Sequence, residues 1–178
     1  MKKLKIIALV VFMFYLCFNA LFYIKTRYTS ENSNLTPVEV ISVIDGDTLL
    51  VKEGNEQYKV RLNLINTPES VHYDSEKNTE YGVIASDYVK SIVCEGDVVY
   101  LQYDQEKEDI YGRRLAYVWL YDDVDINSET DIKEYMLNAI LLKNGYGEVV
   151  LYNNRAYYKL FLKIENKAKM EKLGLFSY

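Results

Sequence analysis

The sequence predicts an α+β fold: a five-stranded OB-type β-barrel with three α-helices, preceded by one N-terminal hydrophobic helix. Three observations carry this reading. Apolar residues first recur at strand spacing, in short runs divided by turn residues, over residues 38–65. They then change to helical spacing from Tyr81, return to strand patterns near residues 98–103 and 114–120, and end in two further helical stretches. Well before all of this stands a long uncharged run, residues 6–24.

The N-terminal run is closed on both sides by positive charge. Lys2, Lys3 and Lys5 precede it, and Lys25 and Arg27 follow. Its 19 residues reach roughly 29 Å as a helix, close to the hydrocarbon thickness of a bilayer. A cleavable signal peptide has a shorter apolar stretch and small residues before the cut. Here Phe18 stands where a small residue is needed, and Ala20 is the one small candidate nearby. Residues 1–27 therefore read as a signal anchor, with cleavage as the alternative. The denser basic cluster before the run puts the N-terminus in the cytoplasm and the rest outside. The expected place is the cell membrane, single-pass with the body extracellular, or secretion if the segment is cut. Residues 28–36 are polar and read as a tether, leaving residues 37–178 as the domain.

The first strand covers residues 38–44, and Asp45-Gly46 is a hairpin signal between two apolar runs. A second strand follows over residues 48–52, with a turn at Gly54-Asn55. In the third, Tyr58, Val60, Leu62 and Leu64 alternate with Lys59, Arg61 and Asn63, so Arg61 points away from the apolar face. Pro68 ends the meander, since it has no N–H for a ladder. Residues 70–80 lack a period and read as a loop. Tyr81, Ile84, Ala85, Tyr88, Val89, Ile92 and Val93 predict the first helix. Two more strands flank a charged loop over residues 104–113. A second helix is predicted over residues 132–143, with Gly145 as its C-cap. Tyr157, Leu160, Phe161, Ile164 and Ala168 mark the third. Five short strands with a helix after the third follow the order of an OB-type barrel.

Composition excludes several classes. A chain of 178 residues that is 49% hydrophobic and 26% charged is neither disordered nor fibrous. Two cysteines exclude a disulfide-rich scaffold, and a single histidine excludes a His-cluster metal site. Residues 28–178 carry 16 basic against 26 acidic residues, a net of −10. Such a body does not hold nucleic acid through a general basic surface, so any such binding depends on a local positive patch.

Three clusters supply chemistry. They are Asp45-Gly46-Asp47-Thr48 at a hairpin tip, Arg61 with Asn66-Thr67-Pro68-Glu69, and Asp109-Ile110-Tyr111-Gly112-Arg113 before a strand. Each alone is ordinary turn or loop sequence. Together they suit phosphodiester hydrolysis, which needs a base for water and positive charge on the phosphate oxygens. Glu69 is the candidate base. Arg61 and Arg113 are the candidate clamp, because a guanidinium binds phosphate oxygens in pairs and stays charged. Asp47, Asn66 and the Thr67 carbonyl offer hard oxygen ligands, which favour Ca²⁺ or Mg²⁺ over zinc.

The ordered motifs Val43-Ile44-Asp45-Gly46-Asp47-Thr48, Arg61-Leu62 leading to Thr67-Pro68-Glu69, and Tyr111-Gly112-Arg113 leading to Leu115-Ala116-Tyr117 resemble the staphylococcal nuclease (thermonuclease) family. The likeness runs over roughly residues 37–177. It includes Tyr81-Gly82, Asn138 with Gly145, Glu165 with Ala168-Lys169, and Leu173-Gly174-Leu175-Phe176. The resemblance implies an OB-barrel with three helices that hydrolyses DNA and RNA with Ca²⁺. It implies Asp47 and Thr67 as metal ligands, Arg61 and Arg113 as phosphate binders, Glu69 as activator of water, and Tyr111 as a nucleotide contact. Two positions depart from the pattern. Asn66 stands where the family has a second metal carboxylate, and Glu148 where some members have a basic residue.

The reading is a membrane-tethered, Ca²⁺-dependent nuclease, expected to be a monomer with no obligate protein partner. Its main rival is a catalytically weak or inactive OB-fold module that binds nucleic acid without cutting it. A protein-docking domain with an acidic contact face is a third, but it leaves the three motifs unexplained. His72, Cys94, Trp119 and the Asp122–Asp125 stretch read as ordinary loop, core and surface residues.

Overall fold

The computed structural model describes residues 13, 15, 35–69, 80–150 and 155–177. The chain divides into two compact units, Met1–Ser33 and Asn34–Tyr178. The expected anchor over residues 6–24 (Met13 and Tyr15 apart), the tether up to residue 34 and the loop over residues 70–79 lie outside the described residues. Among the described residues no helix is long and apolar enough to cross a membrane.

The second unit is built on the predicted meander: β1 (Leu35–Asp45), β2 (Thr48–Glu53) and β3 (Glu56–Leu62). Two-residue turns join them at Gly46-Asp47 and Gly54-Asn55. A short β4 (Ile65–Asn66) follows, then α1 (Glu80–Ile92), β5 (Val98–Glu108) and β6 (Arg114–Trp119). β1, β2, β3, β6 and β5 form a closed barrel in that order. β1 closes it against β5 antiparallel, while β3 and β6 run parallel. Closure leaves no open edge within the barrel. Its interior is filled by the inward positions of each strand: Val40, Leu49, Val51, Val60, Leu101 and Val118 are all fully buried. Each such side chain contributes about 1.5–3 kcal/mol relative to exposure.

The strand and helix limits differ from expectation in three places. β1 begins at Leu35, so Leu35 and Thr36, read as tether, pair with Gln102 and Leu101. β5 continues to Glu108 through half of the stretch read as a loop, and Glu108 pairs with Arg114 beyond an irregularity after Tyr103. The predicted second helix is two helices, α2 (Glu129–Tyr135) and α3 (Leu137–Lys143). Met136 between them is extended, at φ −96 and ψ 117, and bridges to Trp119. Met136 is fully buried, so seating it against β6 outweighs the continuity of the helix. With α4 (Tyr158–Met170) the described residues of the second unit form four α-helices rather than three.

A two-stranded ribbon was not legible in the sequence. β4 pairs with β7 (Glu148–Val149), setting Asn66 opposite Glu148. Glu165 of α4 accepts the Val149 amide at 2.9 Å, which ties the ribbon to the last helix.

Candidate active site

The three motifs, far apart in sequence, meet because of strand register. The β2–β3 ladder pairs Thr48 with Arg61, so the arginine emerges beside Asp47. The parallel β3–β6 ladder pairs Val60 with Arg114 and Arg61 with Leu115, which brings Arg113 to the same end of the barrel.

Asp47 is held at the hairpin tip from several sides. Its Oδ1 accepts the Thr48 hydroxyl at 2.9 Å, its Oδ2 accepts the Thr67 amide at 3.0 Å, and its carbonyl accepts the Leu62 amide at 2.8 Å. Gly46 lets the tip lie directly on Thr67. A Cβ there would stand 2.7 Å from the Thr67 hydroxyl oxygen and 3.0 Å from its Cβ. Asp47 and Thr67 are buried, whereas Asn66 is exposed.

Arg61 joins these groups. Its Nη2 lies 2.9 Å from Asp47 Oδ2 and donates to Asn66 Oδ1 at 3.2 Å. Its Nη1 donates to the Leu62 carbonyl at 3.0 Å and also to the Ile65 carbonyl. The side chain is 13% exposed, so the charge sits mostly out of water with its donors directed. Asp47 and Asn66 thus aim two oxygens at one cationic nitrogen.

Arg113 is positioned by its own loop. Asp109 accepts the amides of Tyr111 at 2.9 Å and Arg113 at 3.0 Å on Oδ1, and its Oδ2 takes Arg113 Nε at 2.7 Å. Gly112, at φ +73, turns the chain where a side chain would be strained. Burial works against the Asp109 charge, but the Arg113 amide and guanidinium with the Tyr111 amide outweigh it and hold the pKa below the ordinary value. The Arg113 guanidinium lies 5.5 Å from the centre of the Tyr111 ring, and Tyr111 is 77% exposed.

Arg61, Arg113 and Tyr111 all line one cleft of about 430 Å³, with Ile65, Val150 and Leu115 among its apolar walls. Sequence reasoning missed Arg155 and Glu106, which form an ion pair on the same lining. Nothing local marks Arg155, a single cation among tyrosines whose place is set by a partner 49 residues away. Asn138 was also missed as a site support. Fully buried, it donates to the Asn63 carbonyl at 2.9 Å and accepts the Val118 amide at 2.9 Å, pinning the turn after Arg61 to β6. Glu69 is exposed two residues beyond Thr67, outside the lining of the cleft.

A hard divalent cation fits the donors near Asp47 in kind. Among the described residues no three His, Cys, Asp or Glu side chains gather as a metal cage. The set is instead one carboxylate, one amide oxygen and a backbone carbonyl. The convergence of Asp47 and Asn66 on a single cationic atom is the observation in its favour.

Residues 59–178 match the family model of the staphylococcal nuclease homologues. Over 139 residues the chain is 36% identical to a thermonuclease of Staphylococcus hyicus, covering 78% of this chain and 73% of that protein. A thermonuclease of Staphylococcus intermedius is 33% identical over 130 residues, 73% of this chain and 69% of its own length. A protein described as an uncharacterized endonuclease, from Escherichia coli O157:H7, is 30% identical over 138 residues, covering 78% and 75%.

Proposed function

The chain belongs to the staphylococcal nuclease family, and on that premise we propose that it is a Ca²⁺-dependent nuclease that hydrolyses DNA and RNA outside the cell. It is a phosphodiesterase of the thermonuclease type. The observation that carries the substrate reading is the cleft on which Arg61, Arg113 and Tyr111 meet. Two guanidinium forks on one lining suit the oxygens of a single phosphodiester, and the exposed ring beside Arg113 suits a nucleotide face. The strand order of the barrel supports the OB-type reading, an architecture that often holds nucleic acid on its surface.

In this mechanism Glu69 takes a proton from the attacking water. Arg61 and Arg113 donate to the phosphate oxygens as their charge grows, and Tyr111 orients the nucleotide. Asp47, Asn66 and the Thr67 carbonyl would hold Ca²⁺, which supplies further charge stabilisation when bound. Residues 6–24 tether the enzyme to the membrane with the domain outside, or release it if cut, and the domain works as a monomer. The test is incubation of the full chain with single-stranded DNA, with and without millimolar Ca²⁺, following fragment length. Metal-dependent shortening is expected, and intact DNA at every Ca²⁺ level refutes the reading.

A second reading rests on Asn66 and on the hold that Arg61 has on Asp47. A weak metal site with its arginine engaged suits a module that binds strands without cutting them. Retention of the strand with no fragments in the same experiment identifies it.

A further inference from the structure

A second cleft, of about 380 Å³, lies where α2, α3 and α4 meet. Lys133 and Lys143, each in the last turn of its helix, and Lys163 and Lys167, one turn apart on α4, all line it. Ile164 and Leu173 are among its apolar walls, and Glu171 is the one acidic residue on the lining. Such a concentration of ammonium groups stands out on a body whose residues 28–178 carry a net charge of −10.

The lysines are partnered, and the pattern of pairing is informative. Glu129 lies between two of them, 2.8 Å from Lys133 and 3.7 Å from Lys163. The hydrogen bond and charge of Lys133, with the charge of Lys163, hold the Glu129 pKa below the ordinary value. Lys143 pairs with Glu134 at 2.6 Å, and Lys167 reaches Glu171 at 3.7 Å. Glu129 is thus one anion shared by two cations. Exposed pairs of this kind contribute little and yield readily to a multivalent anion. Lysine ammonium groups act as point charges and do not select a base.

We propose that this lysine cleft is a second, sequence-independent contact for the phosphate backbone of a nucleic-acid strand whose reacting phosphate is held at Arg61 and Arg113. The proposal rests on the nuclease reading. It resolves a difficulty of charge, because a strongly acidic body needs more than two arginines to retain a long polyanion. A strand is favoured over an anionic bilayer because the four lysines line a concavity, which a flat surface does not enter. A short substrate that ends within the catalytic cleft gains nothing from it.

The test compares full-length wild type with Lys133→Gln/Lys143→Gln/Lys163→Gln/Lys167→Gln. A control, Lys52→Gln/Lys59→Gln/Lys90→Gln/Lys107→Gln, removes the same charge elsewhere. Fluorescence anisotropy follows a labelled single strand longer than about 16 nucleotides, with metal chelated so that it stays whole, across a salt series. In wild type the logarithm of affinity should fall more steeply with the logarithm of salt than in the cleft variant, by up to about 2.8, or roughly 0.7 for each of four contacts. The control should keep the wild-type slope. Equal slopes in wild type and cleft variant overturn the proposal, and so does an equal loss in the control, which would reflect net charge alone. Loss of binding to anionic vesicles with an unchanged strand slope assigns the cleft to lipid and also overturns it. Ca²⁺-dependent cleavage of a dinucleotide, expected to be the same in all three proteins, reports on the nuclease reading separately. If the fourfold variant does not fold, Lys163→Gln/Lys167→Gln carries the same comparison with half the change in slope.

Discussion

Restoring a carboxylate at residue 66 should tighten Ca²⁺ binding, and the structure sets the size of the effect. Unit charges 4 Å apart interact by about 1 kcal/mol in water and about 4 kcal/mol at an effective dielectric constant of 20. Asn66 is exposed, so the lower figure applies. A divalent cation doubles that attraction to about 2 kcal/mol. Arg61 opposes part of the gain, since its Nη2 lies 3.2 Å from Asn66 Oδ1 and would hold the new carboxylate when no metal is bound. Subtracting about 1 kcal/mol for that competition leaves about 1 kcal/mol, or roughly a fivefold lower Kd for Asn66→Asp. The register adds a second expectation. Asn66 lies opposite Glu148, and like charges directly opposite destabilise a ladder. The metal-free variant should therefore gain more thermal stability on adding Ca²⁺ than wild type does. Calorimetric titration of both full-length proteins, with melting curves at matched Ca²⁺, checks both points. Equal or weaker binding by the Asp variant would show that residue 66 does not face the ion.

Glu69→Gln should lower turnover by about 10²–10⁴-fold while the far-ultraviolet dichroism is unchanged, because an amide cannot accept the proton; near-normal turnover removes Glu69 from the role of base. Arg113→Lys should reduce kcat/KM by roughly tenfold or more although the charge is kept, since the fork held by Asp109 is lost; full activity would make Arg113 a simple point charge. The Asp109 pKa is lower in the folded protein than that of a free aspartate. Its stabilising contribution is therefore fully present above that value and is lost as pH falls through the lower folded pKa. Urea midpoints of wild type and Asp109→Asn should accordingly differ at neutral pH and converge under strong acid, and a constant gap would contradict the assignment.

Much of this architecture is written in local patterns. Alternation along residues 58–62 puts Val60 and Leu62 inside and Arg61 at the surface of the barrel, and the structure agrees, whereas Asn63 and Leu64, read as continuing the strand, form a turn in which Asn63 is buried. Asp45-Gly46 and Gly54-Asn55 mark the two turns of the meander, because turn chemistry depends on a few adjacent residues. The residues of the candidate site were also legible, since their types and order carry the resemblance. Their convergence was not. It depends on the parallel β3–β6 pairing, which joins Arg61 to Leu115 across the whole of α1 and β5.

Helix continuity was misread for a related reason. Residues 132–143 have helical spacing throughout, but only the finished barrel offers Trp119 as a partner that draws Met136 into an extended bridge. Arg155 and Glu106 became part of the cleft in the same way. The sequence by itself determined the class of each segment, the turns and the chemistry available, because these follow from neighbouring residues and their period. Tertiary structure alone decided which charges meet. Gly46 against Thr67, Asn66 opposite Glu148 and the four lysines around one cleft are contacts between distant segments, set by barrel closure and helix packing rather than by local pattern.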